Sequence, residues 1–306
     1  MLWVVTYHYV RDLRATRYPK IKGLDTKAFR TQIAYLRERC EIASLESALA
    51  FLAGRYAPPK DLCLLTFDDG LKEHYEVVAP LLQGCGAQGV FALITRCAEG
   101  TWVAPAHKNH FLMATSSLQA YRASYEACLR DRIGQLPDAV PRATLEASYR
   151  WDDLETSKLK YMINFQTPAH LRDDILSQLF AETIGNEEEF ARELYLSFDE
   201  ARDMQANGMV MAGHSHTHPP LSSLGDAQGE EVGNCARRLF AECREQATWP
   251  FVYPFGKSDS FDEQSIEALR AHGFHCAFST ESGPSSPEDD LFRLRRIDTN
   301  EVSRLL

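Results

Sequence analysis

The sequence predicts an α/β protein in which short buried strands alternate with amphipathic helices. Continuous apolar or aromatic runs occur at residues 2–10, 61–67, 89–95, 209–213, 251–253 and 275–279. Runs of this kind suit strands that are buried on both faces, as in a parallel sheet. Because helical patterns separate them, the sequence favours either an α/β barrel or a doubly wound sheet.

The helical patterns carry start and stop signals of their own. Residues 26–40 place apolar side chains at spacings of three and four. Ser197-Phe-Asp-Glu200 has the form of a capping box, and Asn207-Gly208 is a suitable end for the helix that it opens. Ser260-Phe-Asp-Glu263 predicts another helix start, with Gly273 as its stop.

Residues 100–196 depart from this alternation. The strand pattern fades there, and the stretch becomes helical, polar and rich in tyrosine and arginine. No linker rich in glycine and serine borders it. We therefore interpret residues 1–306 as a single domain in which residues 100–196 form a helical insertion.

Composition and charge narrow the class of protein. A formal net charge of −10 argues against nucleic-acid binding, which depends on clustered lysine and arginine. No apolar stretch approaches the roughly 18 residues of a transmembrane helix, and no signal peptide is recognisable at the N-terminus. The 8 cysteines form no Cys-x-x-Cys pair and several lie in apolar runs, so we expect reduced thiols. These features predict a cytoplasmic protein.

Two adjacent carboxylates end the predicted strand at residues 61–67. The segment is Thr66-Phe67-Asp68-Asp69-Gly70, and α/β folds place their sites at such carboxyl ends of strands. Because successive side chains point in different directions, one carboxylate can bind a metal ion while the other acts beside it as a base. A polar turn is the alternative interpretation, since Asp-Gly is a common turn pair.

Three histidines follow the predicted strand at residues 209–213, in Gly213-His214-Ser215-His216-Thr217-His218. His214 and His218 are four residues apart, a spacing that on one helical turn places both imidazoles on the same side. His216 lies between them and should point away. Packing explains a lone histidine more readily than it explains this cluster.

Asp69, His214 and His218 together make a three-ligand site with a position open for water and substrate. This is the pattern of catalytic metal sites, because structural zinc sites use all four positions. A metal ion there would polarise an amide carbonyl and lower the pKa of a water molecule. Asp68 is then the candidate base that takes the proton from that water.

These motifs resemble those of the NodB-type polysaccharide deacetylases, carbohydrate esterase family 4. Residues 66–70 are similar to the first motif of the family, His214-Ser-x-x-His218 to the second and Tyr253-Pro-Phe-Gly256 to the third. The resemblance implies a distorted (β/α) barrel that hydrolyses N-acetyl, and sometimes other acyl, groups from amino sugars.

The resemblance also implies roles for individual residues. Asp69, His214 and His218 would hold one divalent ion, zinc first of all, with Co²⁺, Ni²⁺ or Fe²⁺ as alternatives. Asp68 would be the catalytic base. The backbone N–H of Phe255, in the third motif, would help to hold the oxyanion that develops during acyl transfer.

The sequence departs from the common family pattern in two places. Residues 249–252 contain no arginine before the third motif, and residues 292–306 contain no histidine, where the family has its acid. The chain resembles a circularly permuted subgroup, similar to poly-N-acetylglucosamine deacetylases, whose Tyr-His strand lies at the N-terminus. His8, in Thr6-Tyr-His-Tyr-Val10, is therefore the candidate acid. A buried histidine bonded to a backbone carbonyl is the alternative.

Arg296 is the candidate replacement for the missing arginine. Phe292-Arg-Leu-Arg-Arg-Ile-Asp298 resembles a closing motif of the same subgroup, in which an arginine precedes isoleucine. Arg296 would pair with Asp68 and keep that carboxylate ionised. A solvated basic strand edge is the alternative.

The sequence thus predicts a cytoplasmic, metal-dependent N-deacetylase for an amino sugar of a surface glycan or of its precursor. The expected partner is a glycan, glycolipid or sugar-nucleotide substrate. The alternatives are a small-molecule amidase and an inactive, metal-containing carbohydrate-binding protein. Asp68 argues against the binding protein, which needs no base beside the metal. Aromatic side chains that could stack on sugar rings, unless they belong to the core, are Tyr7, Tyr9, Trp102 and Trp151.

Overall fold

The computed structural model describes residues 1–148 and 152–305, and these form two compact units. The first unit comprises Met1–Arg14, Lys22–Trp102 and Ala191–Leu306, and the second comprises Ala15–Ile21 and Val103–Phe190. That residues 1–306 form one domain, with residues 100–196 as an insertion, stays a prediction.

The first unit is built on a parallel sheet. The strands are β1 (Leu2–Tyr7), β2 (Val10–Arg11), β3 (Leu24–Asp25), β4 (Glu41–Ile42), β5 (Leu62–Phe67), β6 (Gly89–Leu93), β7 (Val210–Gly213), β8 (Pro250–Val252), β9 (Cys276–Phe278) and β10 (Ile297–Asp298). The sheet has the order β10-β1-β5-β6-β7-β8-β9, β4 pairs with β5, and β2 and β3 pair separately. Each of these pairings is parallel, so the predicted parallel α/β sheet is confirmed.

Helices occur in both units. They are α1 (Thr26–Arg39), α2 (Leu45–Leu52), α3 (Ala79–Gly84), α4 (Pro105–Thr115), α5 (Leu118–Ile133), α6 (Arg142–Ser148), α7 (Leu154–Tyr161), α8 (Ala169–Thr183), α9 (Glu187–Leu194), α10 (Phe198–Ala206), α11 (Gln228–Glu242), α12 (Glu263–Ala271) and α13 (Val302–Leu305). Helices α4 to α8 belong to the second unit. In the part of the chain that the structure describes, none of these helices combines the length and apolar character needed to cross a bilayer.

Of the two helix starts predicted from capping boxes, one is confirmed and one is displaced. At α10, Ser197 and Glu200 form the predicted capping box. The predicted start of α12 is wrong by two residues, because the N-cap is Asp262, which closes its box with Ser265. The hydroxyl and N–H of Ser260 instead bond to the carbonyl of Lys257.

Residues 294–298 link the two ends of the sheet. Leu294 forms a bridge with Phe278 of β9, and Ile297 of β10 pairs with Val5 of β1. Arg296 lies between these two contacts in the chain. Its backbone N–H donates to the carbonyl of Glu281, which ties the segment to the stretch after β9.

Candidate active site

The candidate residues follow neighbouring strands at the carboxyl edge of the sheet. His8 follows β1, Asp68 and Asp69 follow β5, and His214 follows β7. Phe255 lies shortly after β8. Because parallel strands end at the same edge, side chains far apart in sequence meet there. The candidate residues therefore lie along one edge of the sheet.

Asp69, His214 and His218 converge as predicted from their positions after the strands. The Oδ1 atom of Asp69 lies 3.5 Å from Nε2 of His214 and 3.5 Å from Nε2 of His218. The two Nε2 atoms are 3.2 Å apart. Asp69 and His214 are buried, and His218 is partly buried. One carboxylate and two imidazoles form a donor set that suits a divalent transition-metal ion.

The contacts around these ligands also fit a cation. The Nδ1–H of His214 donates to the carbonyl of Val252 at 2.7 Å, which leaves the lone pair of Nε2 for a ligand. Burial lowers the pKa of His214, but the hydrogen bond that Asp69 accepts from it and the charges of Asp68 and Asp69 outweigh burial and raise the pKa. The electrostatics of the site therefore favour positive charge between the three ligands.

The backbone of the site is held in a conformation that most residues avoid. Among the described residues other than glycine, φ is positive at Asp69 (77°), Ser215 (60°), His218 (62°) and Phe255 (63°). Such conformations cost on the order of 1–3 kcal/mol each and persist only where surrounding contacts enforce them. The carboxylate of Asp69 and the imidazole of His218 are thus each placed by a residue in a strained backbone conformation.

The predicted helical turn between His214 and His218 is wrong. Residues 214–218 form a loop, in which the left-handed conformations at Ser215 and His218 bring the two imidazoles together. The Oγ atom of Ser215 accepts a hydrogen bond from the N–H of His218 at 2.8 Å. His216 points away, as expected, and its Nδ1 lies 3.0 Å from the hydroxyl of Thr95.

A carboxylate that was not evident from the sequence anchors this loop. Glu231, in the first turn of α11, accepts the N–H groups of His216 at 2.8 Å and Thr217 at 2.5 Å. The hydroxyl of Thr217 also donates to Glu231 at 3.1 Å. No local pattern distinguishes Glu231 from its neighbour Glu230. Only the fold brings it to the loop.

Asp68 and Arg296 form a buried ion pair. Nη1 of Arg296 lies 2.7 Å from Oδ1 of Asp68, and Nη2 lies 2.8 Å from Oδ2. Burial raises the pKa of Asp68, but the charges of Arg296 and His8 and the hydrogen bonds from Arg296 outweigh it and lower the pKa to about 2. Arg296 is only 1% exposed, so the alternative of a solvated strand edge is wrong.

His8 presents its imidazole at the surface of the site. Its Nε2 lies 3.8 Å from Oδ2 of Asp68, and 48% of its side chain is exposed, which rules out the alternative of a buried histidine. The backbone carbonyl of His8 accepts a hydrogen bond from Nε2–H of His74 at 2.8 Å. His74 is fully buried, and burial lowers its pKa to about 4. Nothing in its sequence context pointed to this contact.

The third motif forms a tight turn at the edge of the site. The ring of Phe255 is 40% exposed, and its centroid lies 5.3 Å from that of His218. Thr280 fixes the turn, because its hydroxyl donates to the carbonyl of Phe255 at 3.0 Å and its N–H donates to the carbonyl of Gly256 at 2.7 Å. A Cβ at Gly256 would meet Cγ2 of Thr280 at 2.7 Å, so this position requires glycine.

The other aromatic candidates for sugar stacking have different surroundings. Tyr7 and Tyr9 are buried. The guanidinium of Arg96 lies 4.5 Å from the ring of Trp102. Trp151 lies outside the described residues. Phe255 is an exposed aromatic side chain next to His218 of the three-residue group.

Comparison with known proteins finds similarity to polysaccharide deacetylases. Residues 180–277 match the model of a family described as polysaccharide deacetylase. Over these residues the chain is similar to polysaccharide deacetylases. YxkH of Bacillus subtilis (strain 168), which carries the polysaccharide deacetylase name, is 23% identical over 103 residues. That alignment covers 34% of this chain and spans 36% of the length of YxkH.

Three solved structures share the fold over nearly the whole chain. IcaB from Ammonifex degensii superposes with a TM-score of 0.57 at 17% identity, covering 99% of this chain and 94% of IcaB. The Streptococcus pyogenes deacetylase PplD, solved with acetate, gives 0.59 at 15% identity, covering 97% and 91%. The BpsB deacetylase domain from Bordetella bronchiseptica gives 0.55 at 16% identity, covering 97% and 95%. The predicted NodB-type (β/α) fold is confirmed, with its sheet curled into a half-barrel.

Proposed function

We propose that this protein is a metal-dependent N-deacetylase that acts on an amino sugar of a glycan or of its precursor. The observation that carries the proposal is Asp68. It is a buried carboxylate that Arg296 keeps ionised, it adjoins Asp69 of the three-ligand group, and it lies 3.8 Å from His8. A protein that only binds carbohydrate has no use for such a base.

Each residue of the site has a separate role in the proposed reaction. Asp69, His214 and His218 would hold a divalent ion, zinc in the first instance, whose Lewis acidity would polarise the amide carbonyl and acidify a water molecule. Asp68 takes the proton of that water as it adds to the carbonyl. The backbone N–H of Phe255 donates to the developing oxyanion. His8 donates a proton to the departing nitrogen, so that the C–N bond breaks to give a carboxylate and a free amine.

The substrate class follows from the family resemblance and from the exposed surface of the site. The solved structures that are similar in fold include a deacetylase. The exposed side chain of Phe255 offers an apolar face beside the proposed ligands. A glycan, glycolipid or sugar nucleotide with an acylated amine fits this arrangement. The cytoplasmic location of that substrate stays a prediction from the sequence.

Acetate release from a panel of N-acetylated oligosaccharides, glycolipids and sugar nucleotides tests the proposal. We expect release by the zinc-loaded protein and a loss of at least about 10³-fold in Asp68→Asn with metal content unchanged. Asp61→Asn is the matched control, since Asp61 is exposed and precedes the opposite end of β5. Release only from simple amides would indicate an amidase. A metal-loaded protein that releases nothing from any substrate would indicate a binding protein.

A further inference from the structure

We propose that His74 is a positioning residue that fixes the backbone of His8 and so aims its imidazole at the departing nitrogen. The inference deepens the proposed deacetylase function and rests on it. His74 is fully buried and cannot reach a substrate itself. Its effect must therefore pass through the residues that it holds.

Both ring nitrogens of His74 have defined hydrogen-bond partners. Nε2–H donates to the carbonyl of His8 at 2.8 Å, and Nδ1 accepts the N–H of Leu71 at 3.2 Å. The N–H of His74 in turn donates to the carbonyl of Leu71 at 2.9 Å. A carbonyl can only accept and an amide N–H can only donate, so one neutral tautomer satisfies both contacts. The ring is a rigid strut between His8 and the turn that follows Asp69.

The surroundings of His74 keep that strut in place. Its ring centroid lies 5.6 Å from that of Phe67 and 5.8 Å from that of Phe91. His74 also begins a π-helical turn, His74–Val78, a distortion that recurs at functional sites. Phe67 directly precedes Asp68 in the chain, so the same packing supports the base.

His8 depends on this contact because it lies where β1 has ended. The carbonyls on either side are held by backbone groups: that of Tyr7 by the N–H of Asp68 at 2.9 Å, and that of Tyr9 by the N–H of Leu24 at 2.8 Å. The carbonyl between them is held by a side chain, His74. A displacement of about 1 Å in a catalytic group can cost about 100-fold in rate.

Two substitutions separate the two hydrogen bonds. In His74→Asn the amide oxygen can replace Nδ1 and keep the Leu71 contact, whereas the His8 contact is lost. In His74→Gln the amide nitrogen can replace Nε2 and keep the His8 contact. We expect acetamide hydrolysis to fall about 100-fold in His74→Asn, and His74→Gln to recover at least about 10-fold of that loss.

The leaving group distinguishes positioning from a general structural effect. The leaving group of an aryl acetate such as 4-nitrophenyl acetate is a phenolate, which departs without protonation. The rate of hydrolysis of this ester should therefore change less than about 3-fold in His74→Asn. Combining His74→Asn with His8→Ala should give no further loss beyond His8→Ala alone. His275→Asn is the matched control, since Nδ1 of His275 accepts the N–H of Trp249 at 3.1 Å before the amino ends of β8 and β9. Equal losses of rate on the amide and on the aryl acetate in His74→Asn would overturn the proposal. So would losses that multiply when His74→Asn and His8→Ala are combined.

Crystal structures of the two variants provide a readout that needs no substrate. We expect the distance between Nε2 of His8 and Oδ2 of Asp68, which is 3.8 Å here, to lengthen in His74→Asn and to stay in His74→Gln. An unchanged distance in His74→Asn would overturn the positioning role. A displaced His8 in that variant, with no acetate release by the unmodified protein, would support positioning and reject the deacetylase function.

Discussion

Arg296 holds Asp68 through two parallel hydrogen bonds, Nη1 to Oδ1 at 2.7 Å and Nη2 to Oδ2 at 2.8 Å, although the two residues are 228 positions apart in the chain. Nε of Arg296 donates to the carbonyl of Ser279 at 2.8 Å, and Nη1 also reaches the hydroxyl of Thr66 at 3.1 Å. The guanidinium is a rigid fork that matches a carboxylate, which the ammonium of lysine does not. The position of the proposed base therefore depends on the segment that links β9 to β1.

Replacing Arg296 with methionine should raise the pKa of Asp68. Burial favours the neutral acid, and without the charge of Arg296 the pKa moves up from about 2 towards and beyond its usual 3.8. Because Asp68 must be ionised to act as a base, the acidic limb of the kcat/KM profile should shift to higher pH. Arg296→Lys should shift it less, since it keeps the charge.

The exposed neighbour Arg295 offers the control for this experiment, since Arg295→Met should leave the acidic limb in place. Breaking a buried ion pair costs about 3–5 kcal/mol, so the profiles are measured below the melting temperature of the least stable variant. An acidic limb that coincides in all four proteins would show that Asp68 does not govern it.

Short-range patterns in the sequence predicted the parts of the site that follow strand ends. Asp69, His214 and His218 meet because β5 and β7 lie in one parallel sheet and end at the same edge. The capping box at Ser197 was equally local. Each motif consists of residues within a few positions of each other, where spacing carries the information, and the predicted parallel sheet brings the two motifs together.

The remaining contacts depend on the folded chain and leave no local signal. His74 meets the carbonyl of His8 across 66 residues, and Glu231 meets the N–H of His216 across 15 residues. A buried histidine or glutamate has the same local pattern as an exposed one. The left-handed backbone at Ser215 was also unexpected, because that conformation is uncommon for residues other than glycine. The catalytic roles themselves stay predictions until they are tested.

Removal of the metal ion should abolish activity and leave the fold intact. Dialysis against a chelator such as dipicolinate is expected to stop acetate release, and Zn²⁺ or Co²⁺ should restore it. Elemental analysis should find about one ion per chain, and almost none in Asp69→Ala or His214→Ala. His216→Ala is the control. This variant should keep the ion, because the side chain of His216 bonds to Thr95 instead of facing the proposed ligands. Full activity after verified loss of metal would exclude metal dependence.

His8→Ala should slow amide hydrolysis by about 10²- to 10⁴-fold, the usual contribution of a general acid. The half-exposed imidazole lies 3.8 Å from Asp68 and is not one of the three proposed ligands, so metal content should stay unchanged. Steady-state rates and elemental analysis on the same preparation check both points. If the variant hydrolysed amides at rates close to those of the unmodified protein, His8 would not be the general acid.

Glu231→Ala should weaken metal binding by about 10- to 100-fold, as is common when a group that orients the ligands is removed. Glu231 accepts the N–H groups of His216 and Thr217, and without it the loop between His214 and His218 can relax from its left-handed turns. The metal affinity of Glu231→Gln should lie between those of the unmodified protein and Glu231→Ala, since the amide oxygen of glutamine can still accept the N–H groups. Competition for Zn²⁺ with a chromophoric chelator measures the affinity. Glu230→Ala, on the exposed side of the same helix turn, is the control, and equal affinities in all of these variants would show that the loop holds its shape without Glu231.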